Sequence, residues 1–309
     1  MKKGDVIGDY VVGKRLYRSR HSVVYEAEHQ PTGRLDVLKV ARASCEEELR
    51  TLHENYIVAE GRVLRRLDSP SIVRYKHFEF KGDSAFLFLE KIQGLTIPTL
   101  FSRIQATERD FKLWLATYIV KGMLDGLVYL HTPLHKPEHD GAVLTKIIHG
   151  DISPENILMC PDLKVKIIDF GLAGYSSHPG SLAQQYFVMK EGYASPERLL
   201  GTAITPASDI FSVGSCMAVF LTGQSVSYDY KEDGTVVPCD GALKNIVDVT
   251  EGNKPLEELV RASVENDPKK RPTAKEMKKR LDALEFPHSA DYEKSFRQFF
   301  SDLKKKRMS

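Results

Sequence analysis

Short apolar runs broken by polar turns fill the first ninety or so residues. "DYVVGKRLY", "SVVYEAEH" and "RLDVLKVA" are rich in Val, Leu and Tyr, and polar stretches with Pro31 and Gly33 separate them. That punctuation predicts consecutive strands. The pattern then lengthens: in "EEELRTLHENYIVAEGRVLRRL", Leu49, Leu52, Tyr56, Val63, Leu64 and Leu67 recur at roughly helical spacing. "SIVRYKHFEF" and "SAFLFLEKI", joined by Lys81 to Asp83, predict a hairpin. After Gly94 helical patterns take over. "ERDFKLWLATYIVKGMLDGLVYLH" is long enough for about six turns, and "PASDIFSVGSCMAVFLTG" is apolar on all sides, as a buried helix is. The chain therefore predicts an α+β, bilobal fold: a small β-rich N-lobe with one helix over about 9–93 and a larger, mostly helical C-lobe over about 94–285. An N-terminal extension, 1–8, precedes them and a C-terminal helical tail, 286–309, follows.

Three segments modify this outline. "TPLHKPEHDGAVLTKII" carries His135 and His139, but Pro137 between them argues against a helix presenting both to a metal, so a solvated loop is expected. "YKEDGTVVP" holds an Asp233-Gly234 turn signal between β-prone residues and predicts an extra hairpin after Gly223. "ADYEKSFRQFFSDLKKKRMS" reads as an amphipathic helix. Its closing Lys304, Lys305, Lys306 and Arg307 suit the negative end of a helix dipole better than a nucleic-acid patch.

Composition narrows the partners. Hydrophobic residues make up 42% of the 309 and charged residues 28%, which excludes extensive disorder. A net charge of +2 predicts no strong attraction to nucleic acid or membrane. Cys45, Cys160, Cys216 and Cys239 lie far apart without a CxxC pair, which suggests neither a zinc site nor a disulfide framework. The start has no apolar core of signal-peptide length and no later run approaches a membrane span, so a reducing, cytoplasmic setting is expected.

The polar residues that carry chemistry come in a fixed order. In "HGDISPENIL", Asp151 can orient or deprotonate an attacking hydroxyl, and Asn156, five residues on, can bind magnesium through its amide oxygen. In "KIIDFGLAG", Asp169 follows an apolar strand and can chelate the same metal, with Gly171 freeing the backbone to turn. Together with their surroundings these motifs resemble the protein kinase family over roughly residues 10 to 285. The resemblance implies that Lys39 in "DVLKV" holds the α- and β-phosphates of ATP and that Glu60 in "AEGRVLRRL" pairs with it. It makes "FLFLEKIQG" the hinge, with Leu89 as gatekeeper and the backbone from Glu90 to Ile92 facing adenine. Leu16, Val24 and Val37 above and Leu158 below would sandwich the ring. "GYASPE" at 192–197 resembles the closure of the activation segment, Asp209 the buried acid beneath the catalytic loop, and Arg271 the partner of Glu197. The implied reaction is ATP- and Mg2+-dependent phosphotransfer to Ser or Thr of a protein substrate.

The chain departs from the family in the phosphate-covering loop, in the catalytic loop and at Lys190. Tyr17, Ser19 and Ser22 stand where three glycines normally let the backbone approach the phosphates; either Arg18, Arg20 and His21 at the tip bring substitute donors, or the loop binds nucleotide loosely or not at all. In the catalytic loop Gly150 replaces an arginine that receives an activation-segment phosphate, and Ser153 replaces a lysine that touches the transferring phosphate. Ser176, Ser177, Ser181 and Tyr186 nevertheless remain candidate phosphosites. Counting back from Tyr193, Lys190 occupies the place of a family threonine that contacts the catalytic aspartate and that lysine, which leaves two readings: Lys190 supplies the missing cation beside Ser153 and Asp151, or it points to solvent. Two alternatives stay open: a nucleotide-regulated binding scaffold without turnover, and a small-molecule or nucleotidyl transferase on the same fold.

Overall fold

The computed structural model describes residues 1–104, 108–133, 144–176, 190–202, 204–250, 253–286 and 288–305. His135, His139, Ser177, Ser181 and Tyr186 lie outside them, as do Lys306 and Arg307. Six strands form the N-lobe sheet: β1 (Val6–Ile7), β2 (Tyr10–Arg18), β3 (Ser22–His29), β4 (Arg34–Ala41), β5 (Tyr75–Lys81) and β6 (Ser84–Glu90). Their order is β1-β2-β3-β4-β6-β5 with every pairing antiparallel. Strand β1 lies within the segment read as an extension, and Ile7 is buried against Tyr10 and Val12. The predicted hairpin is β5–β6, in register from Lys81↔Ser84.

Helix α1 (Glu47–Leu64) starts with Glu47 and Glu48, which favour the positive end of its dipole, and packs on one face of the sheet. Strand β6 is apolar on both sides because each of its faces lies in a buried cluster, one with α1 and one formed by the sheet's own strands. Leu87 and Leu89 face the α1 side, while Phe86 and Phe88 join Tyr10, Val12, Leu38 and Val40 on the other.

The C-lobe is built on two buried helices, α3 (Arg109–Leu130) and α5 (Pro206–Thr222). Around them lie α2 (Ile97–Arg103), α4 (Pro196–Leu199), α6 (Asp240–Val249), α7 (Lys254–Ser263), α8 (Ala274–Asp282) and α9 (Ser289–Lys305). Thr205 and Ser208 form a reciprocal cap at the start of α5, and Gly223 at φ 78 ends it. The expectation that no run approaches a membrane span is corrected by α3, whose 22 residues are long and apolar enough. It is mostly buried inside the lobe, so its apolar surface is explained by packing against α5 and α8. The hairpin expected after Gly223 forms from β12 (Tyr228–Tyr230) and β13 (Val236–Pro238). The tail helix α9 lays Tyr292 and Phe296 on α3, with Tyr292 5.4 Å from Phe111 and 5.7 Å from Trp114 and Phe296 6.4 Å from Trp114 between ring centroids, and buries Phe300 in the same core. Its apolar stripe is thus part of the lobe's core.

The short strands at the lobe junction position the site. β7 (Leu95–Thr96), β9 (Ile157–Met159) and β10 (Val165–Ile167) form one small sheet, and β8 (Ile147–Ile148) pairs with β11 (Gly174–Tyr175) in another. The loops after β8 and β10 carry Asp151 and Asp169 into the cleft.

Candidate functional site

Strand alternation puts Val37 and Lys39 on one face of β4 and Leu38 and Val40 in the core on the other. Val24 is the register partner of Lys39, which places Val24, Val37 and Lys39 together under the sheet. The Lys39 ammonium is buried between two carboxylates, 2.6 Å from Glu60 Oε2 and 2.8 Å from Asp169 Oδ1. Burial pulls its pKa down, but the Asp169 and Glu60 charges outweigh that and hold it charged. Burial pushes the Asp169 carboxyl up, and Lys39 with the Tyr56 hydroxyl more than reverses it. Glu60 is wholly buried and its carboxyl is raised by that burial against the pull of Lys39. Its other oxygen accepts the Phe170 amide at 3.1 Å, tying helix α1 to the start of the activation segment.

Tyr56 completes this cluster. It sits one turn before Glu60 on the same helical face, donates its hydroxyl to Asp169 Oδ1 and lies 4.9 Å beneath the Lys39 ammonium. A Cβ on Gly171 would come within 1.9 Å of the Tyr56 ring, so glycine is required there for contact rather than for conformational freedom.

The catalytic loop is held from below by Asp209 of α5. His149 and Gly150 each donate their backbone N–H to its two carboxylate oxygens at 2.9 Å, and His131 Nε2 lies 2.8 Å away. The Asp151 amide donates to His149 Nδ1 at 3.2 Å. Asn156 Nδ2 donates to both the carbonyl and Oδ2 of Asp151 at 2.8 Å, which leaves its amide oxygen for a cation. Burial raises the Asp151 carboxyl despite the nearby Lys190 charge, a shift in the direction a proton acceptor needs.

Lys190 turns toward the catalytic loop. Its ammonium donates to Ser153 Oγ at 2.8 Å and stands 3.5 Å from Glu155 Oε2. The turn after it, Glu191–Tyr193, is fastened to α5 by Ser212 Oγ on the Tyr193 carbonyl at 2.8 Å and by Ser215 Oγ on the Gly192 carbonyl. Tyr228 of the extra hairpin donates to the Ala194 carbonyl. Arg271 grips Glu197 with two hydrogen bonds of 2.7 and 2.9 Å.

The positions expected to face nucleotide fall around the junction. Leu16 is exposed on β2, Val24 and Val37 are half-buried under the sheet, and Leu158 is half-buried on β9 below. Leu89 is buried, and Ile92 packs against the main core. The Glu90 side chain turns away, accepting from Lys166 Nζ at 2.5 Å and the Arg74 amide at 2.9 Å, so only its backbone remains for a ligand. The phosphate-covering loop closes without glycine: Ser19 Oγ accepts the amides of His21 at 3.2 Å and Ser22 at 2.9 Å, and no residue from 17 to 22 has a positive φ. Arg18 and Arg20 are exposed, whereas His21 turns inward to within 5.2 Å of His53 and 5.9 Å of Tyr56 between rings.

Among the described residues no three His, Cys, Asp or Glu side chains converge on a metal position. Asp169 and Asn156 offer two oxygen donors, the kind of partial set that suits magnesium when phosphates and water supply the rest. A family model of the protein kinase domain matches residues 10–281. The chain belongs to the protein kinase family. This kinase is 31% identical to calcium/calmodulin-dependent protein kinase type IV of Mus musculus over 237 residues, covering 74% of the chain and 44% of that protein. It is 26% identical to mitogen-activated protein kinase kinase 2 of Arabidopsis thaliana over 278 residues, 88% of the chain and 71% of that protein. Mitogen-activated protein kinase kinase SIPKK of Nicotiana tabacum is 28% identical over 279 residues, 88% of the chain and 72% of that protein. The kinase thus spans under half the length of its calmodulin-dependent relative.

Sequence reasoning placed Tyr56 only among apolar helix positions and did not single out Arg198. For Tyr56 the missed signal was its i−4 spacing from Glu60, which puts both on the face toward Lys39.

Proposed function

We propose that this kinase transfers the γ-phosphate of ATP to Ser or Thr hydroxyls of protein substrates, itself included. The observation that carries the reading is Lys190 Nζ at 2.8 Å from Ser153 Oγ, because it restores a cation beside Asp151 where the catalytic loop lacks one. In the proposed reaction the acceptor hydroxyl oxygen attacks the γ-phosphorus, the bond from that phosphorus to the ADP oxygen breaks, and the hydroxyl proton passes to Asp151. Asp151 is fixed for this by His149 and Asn156, so it orients the hydroxyl with little reorganisation. Lys39, kept charged by Glu60 and Asp169, binds the α- and β-phosphates. Magnesium, held by Asn156 and Asp169 when bound, neutralises phosphate charge. Leu16, Val24, Val37 and Leu158 enclose adenine, and the backbone at Glu90 and Ile92 pairs with its edge.

The Glu197–Arg271 ion pair, which resembles the family's closure of the activation segment, supports a protein acceptor. Four unpaired cysteines among the described residues support a reducing, cytoplasmic setting. A scaffold without turnover draws support from the Tyr56 hydroxyl and the Lys39 ammonium, which both donate to Oδ1 of Asp169 and compete with a metal for that carboxylate. Incubation with ATP labelled at the γ- or the α-phosphate separates the readings. Transfer of γ-label to protein Ser or Thr supports kinase activity. No transfer supports the scaffold, and label on a metabolite or from the α-phosphate supports the other transferases.

A further inference from the structure

Gly150 stands in the left-handed region at φ 73, where a β-carbon is disfavoured on conformational grounds alone. The space beside it is nevertheless filled. A Cβ on Gly150 would lie 2.9 Å from a guanidinium nitrogen of Arg198, 3.1 Å from the Leu172 carbonyl oxygen and 3.6 Å from Ile204 Cδ1. Arg198 follows Glu197 on the short helix α4, is only 8% exposed, and donates from that nitrogen to the Gly150 carbonyl. Burial of an arginine this deep is costly unless carboxylates balance it, and the charges of Asp151 and Asp209 act on it from the catalytic loop and from α5.

We propose that Arg198 is a positioning residue for Asp151, supplying from the activation segment's closing helix the guanidinium that position 150 lacks. The peptide it holds is the one that leads into Asp151. With Arg198 on the Gly150 carbonyl, His149 on the Asp151 amide and Asn156 on the Asp151 carbonyl, the backbone on both sides of the catalytic carboxylate is fixed. Asp209 anchors the same stretch from beneath through the His149 and Gly150 amides. An arginine on the loop itself would meet the segment through an added phosphate. Here the joint is a buried hydrogen bond between the two segments and needs none. Lys190 and Arg198 thereby bring both missing cations from residues 190–198 to a loop that has neither.

This inference rests on the proposed kinase activity, and its test reads out in two ways. Arg198→Met and Arg198→Lys are compared with wild type for turnover per nucleotide-binding site, for KM of Mg-ATP, and for amide hydrogen exchange in the peptide covering 147–152. Misplacing a reacting group by about an ångström costs roughly a hundred-fold. Arg198→Met is therefore expected to lower kcat per site by about that factor, with KM for Mg-ATP changed less than about two-fold. Exchange at 147–152 is expected to accelerate while helix α5 stays protected, and Arg198→Lys, which keeps one donor, to recover part of both. If Arg198→Met fails to fold, Arg198→Lys carries the test, with an intermediate kcat expected. Wild-type kcat per site in folded Arg198→Met, or in Arg198→Lys where Arg198→Met does not fold, would overturn the proposal, because a residue that only supports the fold changes the number of active sites and not their speed. Should wild type itself transfer no phosphate, the kinase reading fails instead. The exchange measurement then still decides, and unchanged protection at 147–152 in the variants overturns the role of Arg198.

Discussion

Lys190→Thr removes the ammonium that stands 2.8 Å from Ser153 Oγ and restores the residue type usual at that place. Losing one preorganised donor to a developing oxyanion typically costs about 3–4 kcal/mol. The Lys190 side chain is 41% exposed and Glu155 lies 3.5 Å from its ammonium, so solvent and a counter-charge both reduce that figure. A loss of about 2–3 kcal/mol remains, or roughly 30- to 150-fold in kcat. Ser153 is fully buried and its hydroxyl points to the space Lys190 would vacate, so Ser153→Lys in the same chain can return an ammonium to it. The assay is a double-mutant cycle on kcat with saturating Mg-ATP and a generic protein acceptor. Lys190→Thr should fall by the stated factor, and adding Ser153→Lys should recover part of it. A Lys190→Thr enzyme as fast as wild type would refute the assignment, and so would a fall that Ser153→Lys deepens additively.

Asp169→Ala should weaken Mg-nucleotide binding, whereas Asp151→Asn should spare binding and reduce turnover, a contrast read from nucleotide titration beside steady-state rates. Wild-type turnover in both would contradict the site. Saturating Mg-ATP should raise the thermal midpoint, since about 100 Kd of ligand adds about 2.7 kcal/mol to the native state; an unchanged midpoint counts against nucleotide binding. Phosphatase-treated protein should remain active because Gly150 has no side chain to receive a phosphate; abolished turnover would show otherwise. Burial pushes the Glu197 carboxyl up, but the Arg271 hydrogen bonds more than reverse this and leave its folded pKa lowered. The pair's stability is then present above the ordinary glutamate pKa of about 4.3 and lost as pH falls through the folded value. Glu197→Gln should accordingly cost about 3–5 kcal/mol near neutrality, with the gap in thermal midpoint to wild type closing in acid; a gap constant with pH would be inconsistent with an ion pair.

The lobes were legible because their patterns differ in period: alternation and turn residues through Glu90, then helical runs that the core of α3 and α5 requires. The acids and amide of the site were legible through fixed local spacings, Asp151 to Asn156 and the strand before Asp169. Lys190 was legible only by counting back from Tyr193 against a family pattern. Arg198 was not, because its partner is the carbonyl of Gly150, 48 residues away, and a backbone atom leaves no mark in sequence. The phosphate-covering loop differs for a related reason. The absence of glycine suggested cations at the tip, yet the serine hydroxyls close the turn and His21 packs on His53 and Tyr56. Whether a side chain turns to solvent or to a neighbouring helix depends on how α1 docks, which no local window encodes.

Kinase activity itself is decided most directly by exposing the purified chain to Mg-ATP labelled at the γ-phosphate with a mixed protein acceptor, alongside Asp151→Asn. The result expected is label on Ser or Thr of protein with wild type and its near-absence with Asp151→Asn, although both bind nucleotide. Bound nucleotide with no protein label from wild type, or equal label from Asp151→Asn, would contradict phosphotransfer at this site.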